Sequence, residues 1–348
     1  MDRRIQVAVL GATGLVGQRM VQLLAGHPWF ELAEVAASEQ SAGKRYAEAA
    51  RWFLAGGCPE NAGDKEVLPC RPDSVKAPVV FSALDAEAAS EIESAFRRAG
   101  RVVISNARSH RWDPEVPLVI PEINASHLEL AERQKRTYGG AIVTNPNCTT
   151  IGLCLALEPL RLRFGLRRVM VTTMQALSGA GYPGVPALDI MDNILPEIAG
   201  EEAKVEQEPR KIFGRLTATG VELADLAISA QCNRVATREG HLLSVSVELE
   251  RKADLEEVQQ AFITYISPLA GLGLPSAPAR PVVFTTEPCR PQPLRDREAA
   301  GGMAVTVGRL RECPVLDYRF VALVHNTVRG AAGGTVLVGE LLAAREGA

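Results

Sequence analysis

Residues 5–17 read IQVAVLGATGLVG, an apolar run that passes straight into Gly11, Gly14 and Gly17. The run has the length and composition of a buried strand, and the glycines allow the tight turn from which a helix continues. A strand, turn and helix in this order open a parallel α/β sheet, and the N–H groups at the helix start favour an anion. The spacing is GxxGxxG rather than GxGxxG, and a turn built only for packing could hold the same glycines. Placed at the head of the chain between strand and helix, the turn is expected to hold a pyrophosphate.

The rest of the first half repeats that grammar. Apolar runs at 32–37, 79–83, 102–105 and 142–144 predict further strands. Amphipathic patterns at 16–25, 86–99 and 126–137 predict the helices between them, the last capped by Ser126 with Glu129 closing a capping box. After Cys148 longer alternating strands take over, at 169–174, 242–248, 304–309 and 319–324. Strands with segregated helices indicate an α+β unit with an antiparallel or mixed sheet. The stretch 277–297, rich in Pro and Arg, reads as a long connection, and GGTVLVGELLAARE as a final helix. The expected fold is therefore α/β, a Rossmann-type doubly wound parallel sheet followed by an α+β catalytic and dimerisation domain. The expected limits are 1–147 for the first domain, completed by a C-terminal helix within 327–348, and 148–326 for the second.

Composition narrows the partners. A net charge of −3 gives no basis for binding nucleic acid or an anionic membrane, and the 31 arginines are spread along the chain rather than blocked together. No run approaches the roughly 18–20 apolar residues that a bilayer requires. The basic and then apolar N-terminus passes into a Gly-rich turn without a small-residue cleavage site, so a first strand is expected there and not a leader. Seven cysteines, odd in number and without a CxxC pair, fit a reducing cytoplasm better than a disulfide framework or a metal site.

The second predicted strand ends in Ala37-Ser38-Glu39-Gln40-Ser41-Ala42-Gly43-Lys44. Serines and a lysine suit a 2′-phosphate, whereas Glu39 would suit a ribose diol. NADP is the expected cofactor, with NAD left open.

Asn145-Pro146-Asn147-Cys148-Thr149-Thr150 leads into an apolar helical run. Cys148 falls in the first turn, where free N–H groups and the helix dipole would favour a thiolate. A buried packing role is the ordinary one for cysteine, and it is expected for Cys154, Cys232, Cys289 and Cys313. His27, His110, His127 and His325 are likewise expected to be structural.

Together these blocks carry a resemblance. The Gly11–Gly17 turn, Asn145–Thr149, Gln175-Ala-Leu-Ser-Gly-Ala-Gly-Tyr-Pro-Gly184, the Arg234…His241 spacing and His325-Asn-Thr-Val-Arg-Gly-Ala-Ala-Gly-Gly334 resemble the aspartate-semialdehyde dehydrogenases, in the branch typical of archaea and fungi. The likeness runs from about residue 5 to the C-terminus with the blocks in order. It implies that Cys148 is the nucleophile, Gln175 orients the substrate, Arg234 pairs with its α-carboxylate and His241 is the acid/base. It further implies that Glu201 and Lys204 hold the amine and the phosphate, that Arg111 is a second phosphate ligand, and that Asn147 lies in the substrate site. Candidate cofactor contacts are Gly11, Thr13, Gly14, Leu15, Val16, Ser38, Ser41 and Ser82, with Ser178, Gly179 and Asn326 near the nicotinamide. Gln40 departs from the arginine that members of this branch often carry there. The implied setting is the biosynthesis of lysine, threonine and methionine by a homodimer or homotetramer acting on small molecules.

The chemistry of the residues agrees with the resemblance. A soft nucleophile displaces phosphate to make a thioester, a nicotinamide hydride reduces it, and an imidazole titrating near neutrality supplies the proton. Carboxylate and phosphate both call for charge-assisted clamps, which arginine offers. A malonyl-CoA reductase would use the same cysteine and histidine but has no amine or phosphate to hold, so Glu201 and Lys204 favour the amino-acid substrate. N-acetyl-glutamyl-phosphate reductase fits the blocks less well. A silent Rossmann-type binding module has no need of the cysteine, glutamine, arginine and histidine.

Overall fold

The computed structural model describes residues 4–347. Its first sheet comprises β1 (Ile5–Leu10), β2 (Phe30–Ala37), β3 (Val67–Pro69), β4 (Val79–Ser82), β5 (Val102–Ser105) and β6 (Ala141–Thr144). These strands lie in the order β3-β2-β1-β4-β5-β6, every pair parallel. Helices α1 (Leu15–Leu24), α2 (Ala86–Arg98) and α3 (Glu129–Tyr138) provide crossovers. The order reverses between β1 and β4, which is where open α/β sheets form their ligand crevice.

The glycine turn sits at that reversal. Gly11 adopts φ +69°, and a Cβ on it would come within 2.6 Å of the Ala83 carbonyl beyond β4. A Cβ on Gly17 would come within 2.1 Å of the Gly11 carbonyl, so α1 can lean on the turn only without a side chain there.

Cys148 opens α4 (Cys148–Phe164), a helix buried along nearly its whole length, as expected for a helix apolar on every side. It packs beneath the second sheet, which comprises β7 (Leu166–Gln175), β10 (Ala227–Arg234), β11 (His241–Leu249), β12 (Val282–Thr285), β13 (Val305–Glu312) and β14 (Tyr318–Val324). The strand order is β10-β7-β11-β14-β13-β12, with β10/β7 and β12/β13 parallel and the other pairs antiparallel. A small hairpin of β8 (Arg215–Leu216) and β9 (Val221–Glu222) follows α5 (Glu201–Ile212), and α6 (Leu255–Thr264) lies after β11. A π-helical turn, Val328–Ala332, leads into α7 (Gly333–Arg345). Val336, Leu337, Leu341 and Leu342 of α7 are buried in the core of the first sheet, so the chain returns to its starting unit. Among the described residues no helix is long and apolar enough to cross a membrane.

Several local expectations differ from this fold. Ser126 caps nothing: Ala125–Leu128 forms a 3₁₀ turn that runs straight into α3, whose N-cap is Leu128 in helical conformation. The stretch 277–297 is not all connection, because it holds β12 and a short helical turn, Pro293–Asp296. Pro281 and the prolines after it mask a four-residue strand that pairs only at the sheet edge. Cys154 and Cys232 are buried as expected, but Cys289 is exposed and Cys313 half-buried.

Candidate active site

Strand register brings the second domain's candidate residues to one edge. Arg234 and Gln175 are partners in the β10/β7 pairing, and both close their strands. Because β11 runs antiparallel to β7, His241 begins its strand at the same end. Cys148 comes up to this edge from the N-terminus of α4, and its Sγ stands 3.2 Å from His241 Nε2. Two glycines make the approach possible. A Cβ on Gly179 would lie 2.8 Å from Arg234 Nη1 and 3.1 Å from His241 Cε1, and one on Gly330 would lie 2.7 Å from the Cys148 Cβ.

The other ring nitrogen of His241 fixes its tautomer. The Ala176 backbone N–H donates to Nδ1 at 3.0 Å, so the neutral ring carries its proton on Nε2, toward the sulfur. The Ala176 carbonyl in turn accepts from Arg234 Nη1 at 2.8 Å. One peptide residue therefore orients both the imidazole and the guanidinium.

Glu201, at the start of α5, is the electrostatic hub. It accepts from Asn147 Nδ2 (2.8 Å), Gln175 Nε2 (3.0 Å) and Lys204 Nζ (3.0 Å). Burial works to raise its carboxyl, but the Lys204 charge and these donors outweigh it and hold the group at about 2. Thr173 Oγ1 donates to Gln175 Oε1 at 3.0 Å, which sets which end of the amide faces Glu201.

Two electrostatic expectations fail here. Burial pushes the Cys148 thiol up to about 12, with the Glu201 charge adding to the rise and Arg234 and Arg111 opposing it. The helix start does not deliver a thiolate, because Asn147 Oδ1 already accepts from Thr149 N and Thr150 N at 2.9 and 3.2 Å. His241 is not poised near neutrality either. Burial pulls it down to about 3, Glu201 raising it and Arg234 and His325 lowering it. Burial thus favours thiol and neutral imidazole over the ion pair.

Arg111 stands farther out on the loop after β5. Its Nη1 donates to Glu208 Oε1 at 2.7 Å and its Nη2 to the Asn106 carbonyl at 2.8 Å, while its buried Nε has no acceptor among the described residues. A buried donor without a partner is costly, and an anion oxygen would relieve it.

A groove of about 440 Å³ lies over the β1/β4 reversal, lined by Gly11, Thr13, Gly14, Ser38, Glu39 and Arg71 among others. The N-terminus of α1 has no side-chain cap and no acidic residue in its first turn, so its N–H groups are available to a pyrophosphate. Val16, Ser41 and Ser82 do not line this groove. Ser41 donates its N–H to the Ser38 carbonyl within the turn after β2, and Ser82 is fully buried at the end of β4. Leu15 and Ser178 line an adjoining cavity of about 260 Å³ with Tyr182 and Glu239. Asn326 is spent on bracing: its Nδ2 donates to Ser178 Oγ and its Oδ1 accepts from Gly240 N, both at 2.8 Å.

The chain is similar to known proteins over nearly its whole length. Residues 6–131 match the family model described as semialdehyde dehydrogenase, NAD binding domain, and residues 157–329 match semialdehyde dehydrogenase, dimerisation domain. The aspartate-semialdehyde dehydrogenase of Archaeoglobus fulgidus is 50% identical, the alignment covering 97% of this chain and 98% of that protein. The chain belongs to the aspartate-semialdehyde dehydrogenase family. The enzyme of that name from Cryptococcus neoformans is 46% identical, with 97% and 96% covered. The crystal structure of the Candida albicans aspartate-semialdehyde dehydrogenase with NADP superposes with a TM-score of 0.92 at 40% identity, covering 99% of this chain and all of that one.

Within this aspartate-semialdehyde dehydrogenase frame the fold places two hydrogen-bonded sets side by side, Cys148, His241 and Arg234 through Ala176, and Asn147, Gln175 and Lys204 on Glu201, joined at the 147–148 and 175–176 peptides, with Arg111 tied to Asn147 through Glu208. The sequence reasoning missed Ala176, Glu208, Lys211, Glu239 and Arg71. Ala176 acts through its backbone and leaves no side-chain signal. Glu208 and Lys211 left one, since Glu201, Lys204, Glu208 and Lys211 recur at helical spacing, but a charged stripe ordinarily reads as a solvated face. Glu239 accepts from Arg19 of α1 at 3.0 Å and from Thr327 at 3.1 Å, tying the glycine-turn helix to the loop before His241.

Proposed function

We propose that the chain reduces L-aspartyl-4-phosphate to L-aspartate-4-semialdehyde with NADPH, through an acyl-thioester on Cys148. The observation that carries the proposal is the contact of Cys148 with His241 inside a cluster that also holds a guanidinium, an amide and a buried carboxylate. The cysteine sulfur attacks the acyl carbon, the C–O bond to phosphate breaks, and the thiol proton departs with the leaving group as hydrogenphosphate. Arg234 binds the α-carboxylate, Glu201 the ammonium, Lys204 and Arg111 the phosphate, and Gln175 orients the acyl group. When bound, the cofactor supplies a hydride to the thioester carbon. His241 then donates a hydrogen bond from Nε2 to the resulting oxyanion; as the carbonyl re-forms the C–S bond breaks, freeing the aldehyde and leaving a Cys148 thiolate that takes a proton from solvent.

The residues present fit a dinucleotide phosphate. The uncapped start of α1 suits the pyrophosphate, and Ser38 with Arg71 at the far end of the groove suits a 2′-phosphate. Arg71 lies 4.0 Å from Glu39, close enough to offset a carboxylate that would otherwise repel that group. The NADP named with the Candida structure supports the same choice over NAD. Ser178, braced by Asn326, is assigned to the nicotinamide side.

The first unit spans 1–147 with the return of 327–348, and the catalytic and pairing unit spans 148–326. The chain works as a homodimer or homotetramer in the cytoplasm; the match to a dimerisation domain supports assembly through the second unit. The relatives named above are aspartate-semialdehyde dehydrogenases, so nothing favours the malonyl-CoA reductase alternative. An assay with aspartate semialdehyde, phosphate and NADP or NAD, set against malonyl-CoA with NADPH, tests the proposal. Turnover of the semialdehyde with NADP is expected; turnover of malonyl-CoA alone would overturn it.

A further inference from the structure

Helix α5 grips the active-site corner at two levels, and only the upper one belongs to the cluster described so far. Glu201 accepts from the Asn147 side chain, and one face of the helix further along, the buried Glu208 divides its two oxygens. Oε2 accepts from the Asn147 backbone N–H at 2.7 Å, immediately before Cys148, and Oε1 accepts from Arg111 Nη1 at 2.7 Å. One turn on, Lys211 Nζ donates to the carbonyls of Arg111 (2.6 Å), Asp113 (3.2 Å) and Val116 (2.9 Å), so the arginine's loop is tied to the same helix.

We propose that Glu208 is a positioning residue that fixes the Arg111 guanidinium relative to the Cys148 corner, so that the phosphoryl group meets its clamp and its nucleophile at a set separation. This rests on the assignment of Arg111 as a phosphate ligand. Both oxygens of the buried Glu208 are held by the protein, one by Arg111 and one by the Asn147 backbone, so its role is to position those groups. The carboxylate supplies a charge-assisted bond at Nη1 of Arg111, the Asn106 carbonyl accepts from Nη2, and the buried Nε, without a partner among the described residues, is open to an anion. Without the carboxylate the guanidinium loses its buried counter-charge and its fixed plane, and small misplacements of a clamp are costly in rate.

The test is steady-state kinetics in the phosphate-consuming direction, with aspartate semialdehyde, NADP and inorganic phosphate, on E208Q, E208D, R111A and E208Q/R111A. Folding is checked by NADPH binding. E208Q is expected to raise the phosphate KM by about tenfold while the semialdehyde KM stays within about twofold. In the R111A background E208Q should add less than about twofold to the phosphate KM, because the group it positions is gone. If E208Q does not fold, E208D, which keeps the charge but draws it back by a methylene, is read on the same scale. A raised phosphate KM in R111A beside unchanged values in E208Q and E208D overturns the role of Glu208 alone, as does an additive double variant. An unchanged phosphate KM in R111A overturns the Arg111 assignment and the proposal with it.

Discussion

The Ala176 N–H donates to His241 Nδ1 at 3.0 Å, and this bond decides what the histidine can do at its other nitrogen. With Nδ1 occupied as an acceptor, Nε2 carries the proton and faces Cys148 Sγ. An imidazolium would need a second proton on Nδ1, directly against the Ala176 N–H. His241 is therefore built to donate, and burial favours Cys148 as a thiol. Alkylation by iodoacetamide should accelerate with pH up to and beyond about pH 9, the thiol being pushed up to about 12. A rate that levels off near pH 7 would indicate a thiolate–imidazolium pair instead.

His241→Asn should lower kcat by roughly 10² to 10⁴, the usual worth of a positioned proton donor, while NADPH still binds. The same ring gives a stability signature. Its folded value is depressed to about 3, so its contribution is complete above the unfolded value of about 6.5 and is lost as pH falls toward about 3. Thermal unfolding from pH 7 to pH 4 should show a smaller loss in His241→Asn than in the wild type. Parallel curves would contradict the burial argument.

Gly330→Ala places a methyl group 2.7 Å from the Cys148 Cβ, with the backbone on both sides unable to retreat cheaply. Such overpacking costs about 1–3 kcal/mol, and here it displaces the nucleophile itself. Chemical unfolding should show that loss, and kcat should fall by at least about tenfold. Wild-type turnover in a destabilised variant would mean that Cys148 tolerates the shift.

Arg71→Ser removes the only guanidinium among the described residues that line the groove and leaves Glu39 unopposed. The ratio of kcat/KM for NADPH over NADH should fall by about tenfold or more, consistent with loss of a charge-assisted contact. An unchanged ratio would place the 2′-phosphate elsewhere, with Lys44 the next residue to change.

The sequence made much of this legible because periodicity survives without partners. Strands β1 and β5 fall where their apolar runs end, since each is buried on both faces and bounded by turn residues. Short or edge elements did not show: β12 is hidden by prolines, and the Ser126 cap failed because Asn124 bonds locally to Ile120 and His127 while His127 reaches the Gly214 carbonyl, which together hold a 3₁₀ turn there. The site residues were legible as motif blocks, but their electrostatics were not. A helix-start cysteine reads as a thiolate until Asn147 is seen occupying the helix N–H groups and burial is counted. Glu208 was invisible for the opposite reason, since a carboxylate on a charged stripe looks solvated until the fold closes over it.

The aspartyl thioester on Cys148 can be trapped by incubating the enzyme with aspartate semialdehyde and NADP in the absence of phosphate and analysing it by mass spectrometry. An aspartyl adduct is expected on the Cys148 peptide, discharged by inorganic phosphate and never formed by Cys148→Ala. An adduct on another residue, or full turnover by Cys148→Ala, would contradict the thioester.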